Sequence, residues 1–327
     1  MAQIVGYEKN SIYIPLNTWG NLCRGIAGDA MRLEILRVLR RDSFGVQELA
    51  YIFSMAQPGM SHHLKLMSKA GLLETRRQGN SIFYRRALIT ESLELNHLQI
   101  RLFAEIDTLV VKPEVQDKID QIYVERAKRS RSFFEKNAEQ FEERHEMLCE
   151  LNQYLGNMHE LLDLADLPQS SRVLEVGPGQ GAFLKELSDR YDNLVALDNS
   201  DEMLELAKEQ TAGEFPNIEF VKNSLEKYRL ESEQAPFDAL VLNMVLHHMP
   251  SPATIFEKMN RLIADGGFLL IADLAAHNQD WTKDSCGDLW LGFDSEELDD
   301  WAFGAGFNEK QSLYLGLKNG FQIQLKF

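Results

Sequence analysis

A glycine-rich stretch limits what this chain can fold into more than any other feature. Residues 173–181 read V-L-E-V-G-P-G-Q-G, an apolar strand followed by a loop with glycine at every second position. Gly177, Gly179 and Gly181 let the main chain approach a ligand closely, because a Cβ there would block the approach and restrict the turn. The apolar spacing of residues 182–191 predicts a helix directly after the loop, and a helix N-terminus favours an anionic or polar ligand group.

An acidic residue follows at the spacing expected of a carboxylate that binds a ribose. Residues 194–197 (L-V-A-L) predict a second buried strand that ends at Asp198, twenty-one residues after Gly177. Two cofactors are compatible with the loop alone. Gly177, Gly179 and Ala182 also satisfy the dinucleotide pattern G-x-G-x-x-G/A, so the loop does not exclude NAD.

The rest of the C-terminal half favours a different cofactor. Glu175 precedes the first loop glycine by two residues, and a strand predicted over 237–243 leads into the string L-H-H-M-P. Strand-like runs at 307–317 and 321–327, joined by a K-N-G turn, predict an antiparallel hairpin. An alternating β/α series that ends in such a hairpin resembles the class I S-adenosylmethionine (SAM) dependent methyltransferases, over residues 130–327.

This resemblance implies SAM or S-adenosylhomocysteine (SAH) as the cofactor, without a metal, and it gives each binding residue a role. Glu175 and the loop backbone would hold the methionine end, Asp198 the ribose hydroxyls, and Asn243 the methionine amino group. Asn199 would lie on the adenosine side, with Ser224 and Leu225 at the adenine. Many relatives carry Asp at the position of Ser224. A serine there lacks the carboxylate that would accept a hydrogen bond from the adenine amino group. The implied cofactor-binding residues are Glu175, Gly177, Gly179, Gly181, Asp198, Asn199, Ser224, Leu225 and Asn243.

Catalytic residues are harder to identify from this sequence. Methyl transfer from a sulfonium is an in-line displacement that chiefly needs proximity and alignment. His247 and His248 are candidates for a general base, and the alternative is that L-H-H-M-P is scaffold sequence. The segment 277–293, dense in Trp, Asp and His, either covers the mouth of the pocket or binds a methyl acceptor.

The charge of the chain is unevenly distributed. The formal net charge is −16, yet residues 1–100 carry 12 Lys and Arg against 8 Asp and Glu. Residues 171–327 carry 13 basic against 27 acidic side chains. A basic N-terminal part joined to an acidic C-terminal part is typical of a DNA-binding domain fused to a ligand-binding domain.

The N-terminal pattern predicts three helices followed by a β-hairpin wing. The predicted helices are Leu22–Arg41, broken near Gly28-Asp29, then Val46–Phe53, and a third over Gly59–Lys69; the wing strands are 74–77 and 81–86 around Gln78-Gly79-Asn80. On the third helix Met60, Leu64 and Met67 share the inner face. His63 is interpreted as a packing residue. The strings S-H-H-L-K at 61–65 and A-G-L-L at 70–73 resemble the ArsR family of winged-helix repressors.

The outer face of the third helix and the wing arginines form the predicted DNA-binding surface. Ala56 and Gly59 depart from the ArsR pattern, which usually has a capping Ser and often a Thr there. The residues predicted to contact DNA are Gln57, Ser61, His62, Lys65, Lys69, Arg76, Arg77 and Arg85, with Arg86 as a further wing arginine.

ArsR proteins are often metal sensors, but the expected ligands are missing from this sequence. The second helix contains no cysteine, and the three cysteines of the chain are scattered. The region of Glu91, Glu94, His97 and Glu105 offers a single histidine. The sequence therefore predicts no metal, and the fused ligand domain is the alternative source of an effector.

Two further helical patterns, Leu93–Val111 and Val115–Lys128, are broken at Lys112-Pro113. In ArsR proteins a helix after the wing forms the dimer interface, so the resemblance implies a homodimer. For the basic run R-A-K-R-S-R at 126–131 the sequence leaves two interpretations: it contacts DNA phosphates, or it is the solvated face of a linker. Residues 132–164 resemble the segment that covers the SAM pocket.

Together these patterns predict an α/β protein, in which a mostly α winged helix-turn-helix is followed by a Rossmann-like class I methyltransferase domain with a C-terminal antiparallel hairpin. The expected domains are 1–100 for DNA binding, 101–131 as a helical dimerisation and linker segment, and 132–327 for the ligand. The whole resembles ArsR repressors fused to a methyltransferase-like domain, which are associated with control of the methionine and SAM cycle in response to SAH.

The functional expectation is a cytoplasmic, dimeric regulator that binds double-stranded operator DNA and SAM or SAH. No apolar run reaches membrane-spanning length, so no membrane partner is expected. The alternative is an active methyltransferase for a small molecule, with the winged helix as a regulatory or targeting module.

Overall fold

The computed structural model describes residues 29–89, 96–137, 147–211, 215–231 and 234–327. Contacts between Cα atoms divide the chain into two compact units. The first extends to Arg76 and resumes over Ile82–Gln116, and the second comprises Arg77–Ser81 and Asp117–Phe327. Among the described residues, no helix combines the length and apolar character needed to cross a bilayer.

The first part of the chain folds as helices around a small sheet. Its elements are α1 (Ala30–Val38), β1 (Phe44–Gly45), α2 (Val46–Ile52), α3 (Gln57–Lys69), β2 (Leu73–Gln78), β3 (Ser81–Arg86) and α4 (Asn96–Asp107). The three strands have the order β1-β3-β2. The Asp29 carboxylate accepts a 3.0 Å hydrogen bond from the Met31 amide, which caps α1. The predicted helical residues before Asp29 lie outside the described residues.

Helix α3 has the inner and outer faces that the sequence predicts. Met60, Leu64 and Met67 are fully buried, while Lys65 and Lys69 are exposed. The helix begins two residues earlier than predicted, because a proline in the first turn is compatible with helix geometry. The residue at its N-cap is an alanine that makes no side-chain hydrogen bond.

The break predicted at Lys112-Pro113 separates α4 from α5 (Pro113–Asn137). Proline begins α5 because its missing N–H would have no partner in the first turn. The helix extends past the predicted end at Lys128 and includes the basic run at 126–131. In the segment 132–164, which resembles the cover of a SAM pocket, residues 132–137 complete α5 and 138–146 lie outside the described residues. Helix α6 is Leu155–Ala165.

The second unit contains a seven-stranded sheet of order β6-β5-β4-β7-β8-β10-β9. Its elements after α6 are β4 (Arg172–Val176), α7 (Ala182–Ser188), β5 (Asn193–Asp198), α8 (Asp201–Thr211), β6 (Ile218–Lys222), β7 (Phe237–Asn243), α9 (Pro252–Asn260), β8 (Ile263–Leu274), α10 (Trp281–Ser285), α11 (Ser295–Gly304), β9 (Ser312–Gly316) and β10 (Gln322–Lys326). Strands β4 to β8 pair in parallel, and β10 pairs antiparallel with both β8 and β9. The fold is the predicted α/β class with a Rossmann-like sheet and a C-terminal hairpin.

The core of this unit joins the sheet to its helices. Val173 and Val241 from β4 and β7 pack in one buried cluster with Met158 of α6 and Phe183 of α7. These strands are predominantly apolar because parallel strands are covered on both faces. The hairpin is shorter than predicted, since its first strand begins at Ser312.

Candidate functional site

A cavity of about 700 Å³ lies at the carboxyl edge of the parallel strands. Its wall includes residues that directly follow β4, β5, β6 and β7: Gly177, Gly179, Asn199, Asn223, Ser224, Met244 and Val245. Strand β4 lies between β5 and β7, so the chain leaves the sheet in opposite directions on either side of it. This crevice is where open α/β sheets bind their ligands.

The first loop glycine is required by its surroundings. Gly177 has φ of +63° and its amide donates a 2.8 Å hydrogen bond to the Leu197 carbonyl. A Cβ on Gly177 would lie 2.3 Å from Val245 Cγ2, so no side chain fits. Gly179, also with positive φ, lines the cavity as the sequence predicts.

Gly181 has a different role from the one predicted. It caps α7 with φ of +87°, and a Cβ there would lie 3.4 Å from the Ala207 backbone. It is not among the residues that line the cavity. Glycine at this position therefore allows the close packing of α7 against α8 and does not serve the approach of a ligand.

Asp198 and Asn199 lie on the cavity wall at the end of β5. The Asp198 Oδ1 accepts a 2.8 Å hydrogen bond from the Ser200 amide, which holds the carboxylate in place. Burial raises the pKa of Asp198 to about 6, although backbone hydrogen bonds from Ser200 and Asn199 favour the ionised form. A fixed carboxylate at this edge can accept two hydroxyls of a ribose.

Ser224 and Leu225 also reach the wall, beyond the end of β6. The Asn223 side chain accepts a 2.9 Å hydrogen bond from the Ser224 amide and shapes the turn. Leu225 is 3% exposed, so it offers an apolar surface suited to a flat ring.

Glu175 and Asn243 do not line the cavity, unlike the other residues predicted for the methionine end. Asn243 Oδ1 accepts a 2.9 Å hydrogen bond from the Tyr154 hydroxyl, a partner that the sequence pattern did not single out. Glu175 is 1% exposed, and its Oε2 makes no hydrogen bond. Burial raises the pKa of Glu175 to about 8, so it is protonated at neutral pH in the ligand-free protein.

Helix α5 forms one wall of the cavity. The wall residues include Tyr123, Val124, Ala127, Lys128, Arg131, Phe134 and Glu135. The sequence predicted a covering segment that begins only at residue 132, so the wall starts about two turns earlier. The basic run at 126–131 is therefore part of the cavity wall at Lys128 and Arg131, while Arg129 is exposed.

The two candidate histidines occupy different positions. His248 lines the cavity and contacts the Phe134 ring edge-on, with centroids 4.9 Å apart. His247 is fully buried, and its Nδ1 lies 2.7 Å from Asp273 Oδ1. Burial opposes the charged form of His247, but the Asp273 and Asp288 carboxylates outweigh it and raise the pKa to about 8. Sequence reasoning missed both acids.

The predicted DNA-binding residues differ in their exposure. Gln57, His62, Lys65, Lys69 and Arg77 are exposed, while Ser61, Arg76 and Arg85 are partly buried. The Arg85 Nη2 lies 3.1 Å from the Glu74 carboxylate.

Arg86 was wrongly predicted to be a wing arginine available to phosphates. It is 8% exposed, and its Nη2 donates to Asp107 Oδ1 at 2.7 Å while its Nε donates to the Leu36 carbonyl. The reason is strand geometry, since neighbouring residues of a strand point to opposite faces. Arg86 therefore stabilises the packing of β3, α1 and α4.

The structure describes Cys149 and Cys286, and both are buried. Burial raises the pKa of Cys149 to about 12, so this thiol is protonated at neutral pH.

Two parts of the chain match known protein families. Residues 143–314 match a family described as a methyltransferase domain, which is 172 of the 327 residues. Residues 28–76 match a helix-turn-helix domain.

Curated relatives match a shorter central region. Methyltransferase str2 of Strobilurus tenacellus is 29% identical over 131 residues, 40% of this chain and 42% of the relative. A ubiquinone biosynthesis O-methyltransferase of Dechloromonas aromatica is 30% identical over 115 residues, 35% of this chain and 48% of the relative. The chain thus spans less than half the length of these relatives.

Solved structures with a similar fold include the N-methyltransferase NodS of Bradyrhizobium japonicum in complex with SAH. It covers 57% of this chain and 96% of its own, with 17% identity and a TM-score of 0.43. Such distant similarity adds nothing to the domain matches.

Proposed function

Because the chain belongs to the methyltransferase-domain family and also carries a helix-turn-helix domain, we propose that it is a dimeric transcriptional regulator whose ligand domain binds SAM or SAH as its effector. Residues 1–100 bind DNA, 101–131 form the dimerisation and linker segment, and 132–327 bind the ligand together with the part of α5 that lines the cavity. The genes it controls belong to the methionine and SAM cycle.

The observation that carries this proposal is the course of α5. The helix begins at Pro113 in the first unit, and its residues Tyr123 to Glu135 line the cavity in the second. A ligand in the cavity touches this helix directly. Any preference of the ligand for one position of the helix would therefore reach the DNA-binding unit through continuous backbone.

The cavity offers groups suited to each part of the ligand. Asp198 accepts the ribose hydroxyls, Gly177 and Gly179 bring the backbone close, and Leu225 packs against the adenine. Glu175 is not on the cavity wall, but it directly precedes the wall residues Val176 and Gly177. Its carboxyl group is the proposed partner of the methionine ammonium, which would draw it into the ionised form.

A regulator must distinguish its effector from the competing molecule. SAM carries a methyl group and a positive charge at sulfur that SAH lacks. Lys128, Arg131 and Lys227 on the cavity wall are matched by Glu135, Asp198 and Glu226, so the net charge of the wall does not by itself separate the two molecules. The resemblance to fused regulators that respond to SAH makes SAH the expected effector, and a several-fold preference suffices for regulation.

The second candidate function is methyl transfer to a small molecule. It is favoured by the position of His248 on the cavity wall, where an imidazole can act as a general base on a bound molecule. The neighbouring His247–Asp273 pair, at 2.7 Å, is fully buried and does not line the cavity. Transfer of a labelled methyl group from SAM to hydroxyl, amine or thiol acceptors would identify this activity.

The regulatory proposal is tested by fluorescence anisotropy of the full chain on its own upstream DNA, titrated with SAM and with SAH at one fixed salt concentration. We expect SAH to change DNA affinity at least fivefold and SAM to change it less. Asp198→Ala should abolish this response and leave ligand-free DNA binding intact. Lys65→Ala should weaken DNA binding and leave SAH affinity intact.

The control for Asp198→Ala is Glu209→Ala, which removes an exposed carboxylate from α8 outside the cavity wall. Tight DNA binding that neither ligand alters, together with measurable SAH binding, would contradict the sensor proposal. Loss of SAH binding in Lys65→Ala would contradict the proposed division of domains.

A further inference from the structure

Four buried titratable side chains meet where β7 and β8 end. They are His247, His248, Asp273 and Asp288, none more than 7% exposed. His247, His248 and Asp288 each direct one nitrogen or oxygen into a common space, and these three atoms lie within 4.8 Å of one another. The sequence did not predict the cluster, because Asp288 is forty residues beyond His248.

The hydrogen bonds of Asp273 fix the proton on one nitrogen of His247. The Asp273 carboxylate accepts from the Leu246 amide at 2.9 Å and from the Leu274 amide at 2.8 Å, which favours its ionised form. The His247 Nδ1, 2.7 Å away, is then the donor to Oδ1. The other nitrogen, Nε2, carries the lone pair when the ring is neutral, and an ion bound there would replace the second proton of the imidazolium.

That lone pair faces another acceptor. His247 Nε2 is 3.7 Å from Asp288 Oδ1, too far for a hydrogen bond, and neither atom has a hydrogen-bond partner. The second oxygen of Asp288 makes no hydrogen bond of good geometry either, although the nearby Thr282 side chain favours the ionised form of this carboxyl group. Burial of acceptors without a donor destabilises the folded protein, so a cation between these atoms would stabilise it.

The spacing of the acceptors fits a metal ion. Bonds of about 2.0–2.2 Å to zinc place neighbouring tetrahedral ligand atoms roughly 3.3–3.6 Å apart. Asp288 Oδ1 lies 3.7 Å from His247 Nε2 and 3.9 Å from His248 Nδ1, and all three ligand atoms lie within 4.8 Å of one another. Binding therefore requires a contraction of a few tenths of an ångström at Asp288 and of no more than about 1.5 Å between the two imidazole nitrogens. We infer that His247, His248 and Asp288 bind a divalent transition-metal ion such as Zn²⁺, with Asp273 orienting the His247 ring.

Metal binding requires His248 to change its tautomer. Its Nδ1 lies 3.3 Å from the Gly287 carbonyl, so the proton must move to Nε2 before Nδ1 can bind the ion. Two imidazoles and one carboxylate leave a fourth position open, as in catalytic zinc sites. His248 also lines the cavity, so this position is available to water or to an oxygen donor of a bound molecule.

The test uses tag-free full-length protein freed of metal with a chelator. Cobalt(II) titration followed by visible absorption reports tetrahedral coordination, and equilibrium dialysis against zinc with elemental analysis gives the stoichiometry. We expect one ion per chain with tetrahedral cobalt bands. Asp288→Asn and His248→Ala should weaken binding at least 100-fold, and Asp273→Asn about 10- to 100-fold.

The matched control is Asp284→Asn, which removes an exposed carboxylate four residues from Asp288. It should bind the ion like the unaltered protein. Circular dichroism of every variant separates loss of metal from loss of fold.

Two outcomes would overturn the inference. Stoichiometric binding that persists in both Asp288→Asn and His248→Ala would place the ion elsewhere. Absence of binding to the unaltered protein, together with two ring N–H signals from His247 in nitrogen-15 NMR at neutral pH, would show an imidazolium between two carboxylates instead of a metal.

Discussion

The Arg126 guanidinium lies 4.9 Å above the Trp290 ring, and its Nη1 donates a 3.1 Å hydrogen bond to the Pro250 carbonyl. The Trp290 indole in turn donates to the Met249 carbonyl at 2.8 Å. Because Met249 and Pro250 line the cavity, these contacts anchor α5 to the segment that follows β7. Arg126 is thus one anchor of the helical wall, beside the Phe134–His248 contact.

Arg126→Ala should weaken SAH binding roughly fivefold to thirtyfold, because about 1–2 kcal/mol of cation–π and hydrogen-bond energy no longer holds the helix. Isothermal titration calorimetry measures the effect. The control is Arg129→Ala, an exposed arginine of the same helix, which should bind SAH normally. Equal affinities of the two variants would show that the anchor does not support the site.

Gly177→Ala should abolish ligand binding and destabilise the second unit. Its Cβ would lie 2.3 Å from Val245 Cγ2, and the backbone has φ of +63°, so both the neighbour and the loop must move. We expect a loss of about 2–3 kcal/mol, measured by thermal unfolding.

The control for Gly177→Ala is Gly156→Ala. A Cβ at Gly156 meets nothing within 4 Å in α6, so alanine should stabilise the helix by up to about 1 kcal/mol. A Gly177→Ala protein with normal unfolding temperature and SAH affinity would contradict the steric argument.

The elements that the sequence predicted well are those whose signals are local. The apolar run before Gly177, the strand ending at Asp198 and the hairpin around the K-N-G turn each depend on neighbours in sequence. The position of the cavity could be predicted from these strands, because the carboxyl ends of parallel strands meet at one edge of the sheet.

The sequence could not indicate contacts made by residues distant along the chain. Asp273 at the end of β8 and Asp288 in the segment after it reach His247 only in the folded protein. Tyr154, the residue before α6, reaches Asn243 at the end of β7. The burial of Arg86 was indicated by the sequence, since Arg85 and Arg86 are adjacent in a strand and their side chains must point to opposite faces.

Arg86→Ala should lower the stability of the first unit, because Arg86 has a packing role and not a role in contacting DNA. It removes the bonds to Asp107 and the Leu36 carbonyl, and breaking a buried ion pair costs about 3 kcal/mol or more. We expect the low end of that range, because Arg40 Nε remains 3.1 Å from Asp107. Hydrogen exchange followed by mass spectrometry should show faster exchange in α1 and α4. The exposed Arg77→Ala is the control and should leave exchange there unchanged.

Glu175→Gln should stabilise the ligand-free protein in a pH-dependent way. The pKa of Glu175 rises from 4.5 to about 8 on burial, so the native state holds a proton that the unfolded state releases between these values. The free energy of unfolding therefore falls as pH rises through this range, and glutamine removes that loss. The gain in unfolding temperature of the variant should grow from pH 5 to pH 8, and an offset that is constant with pH would contradict the assignment.

The same substitution should weaken SAH binding, because glutamine cannot provide a charge for the methionine ammonium. In the unaltered protein at pH 7, binding should release a proton as Glu175 ionises against that ammonium. Calorimetry in two buffers of different ionisation enthalpy measures this release, which Glu175→Gln should lack while its affinity falls about tenfold or more. Proton release that persists in the variant would mean that a different group ionises on binding.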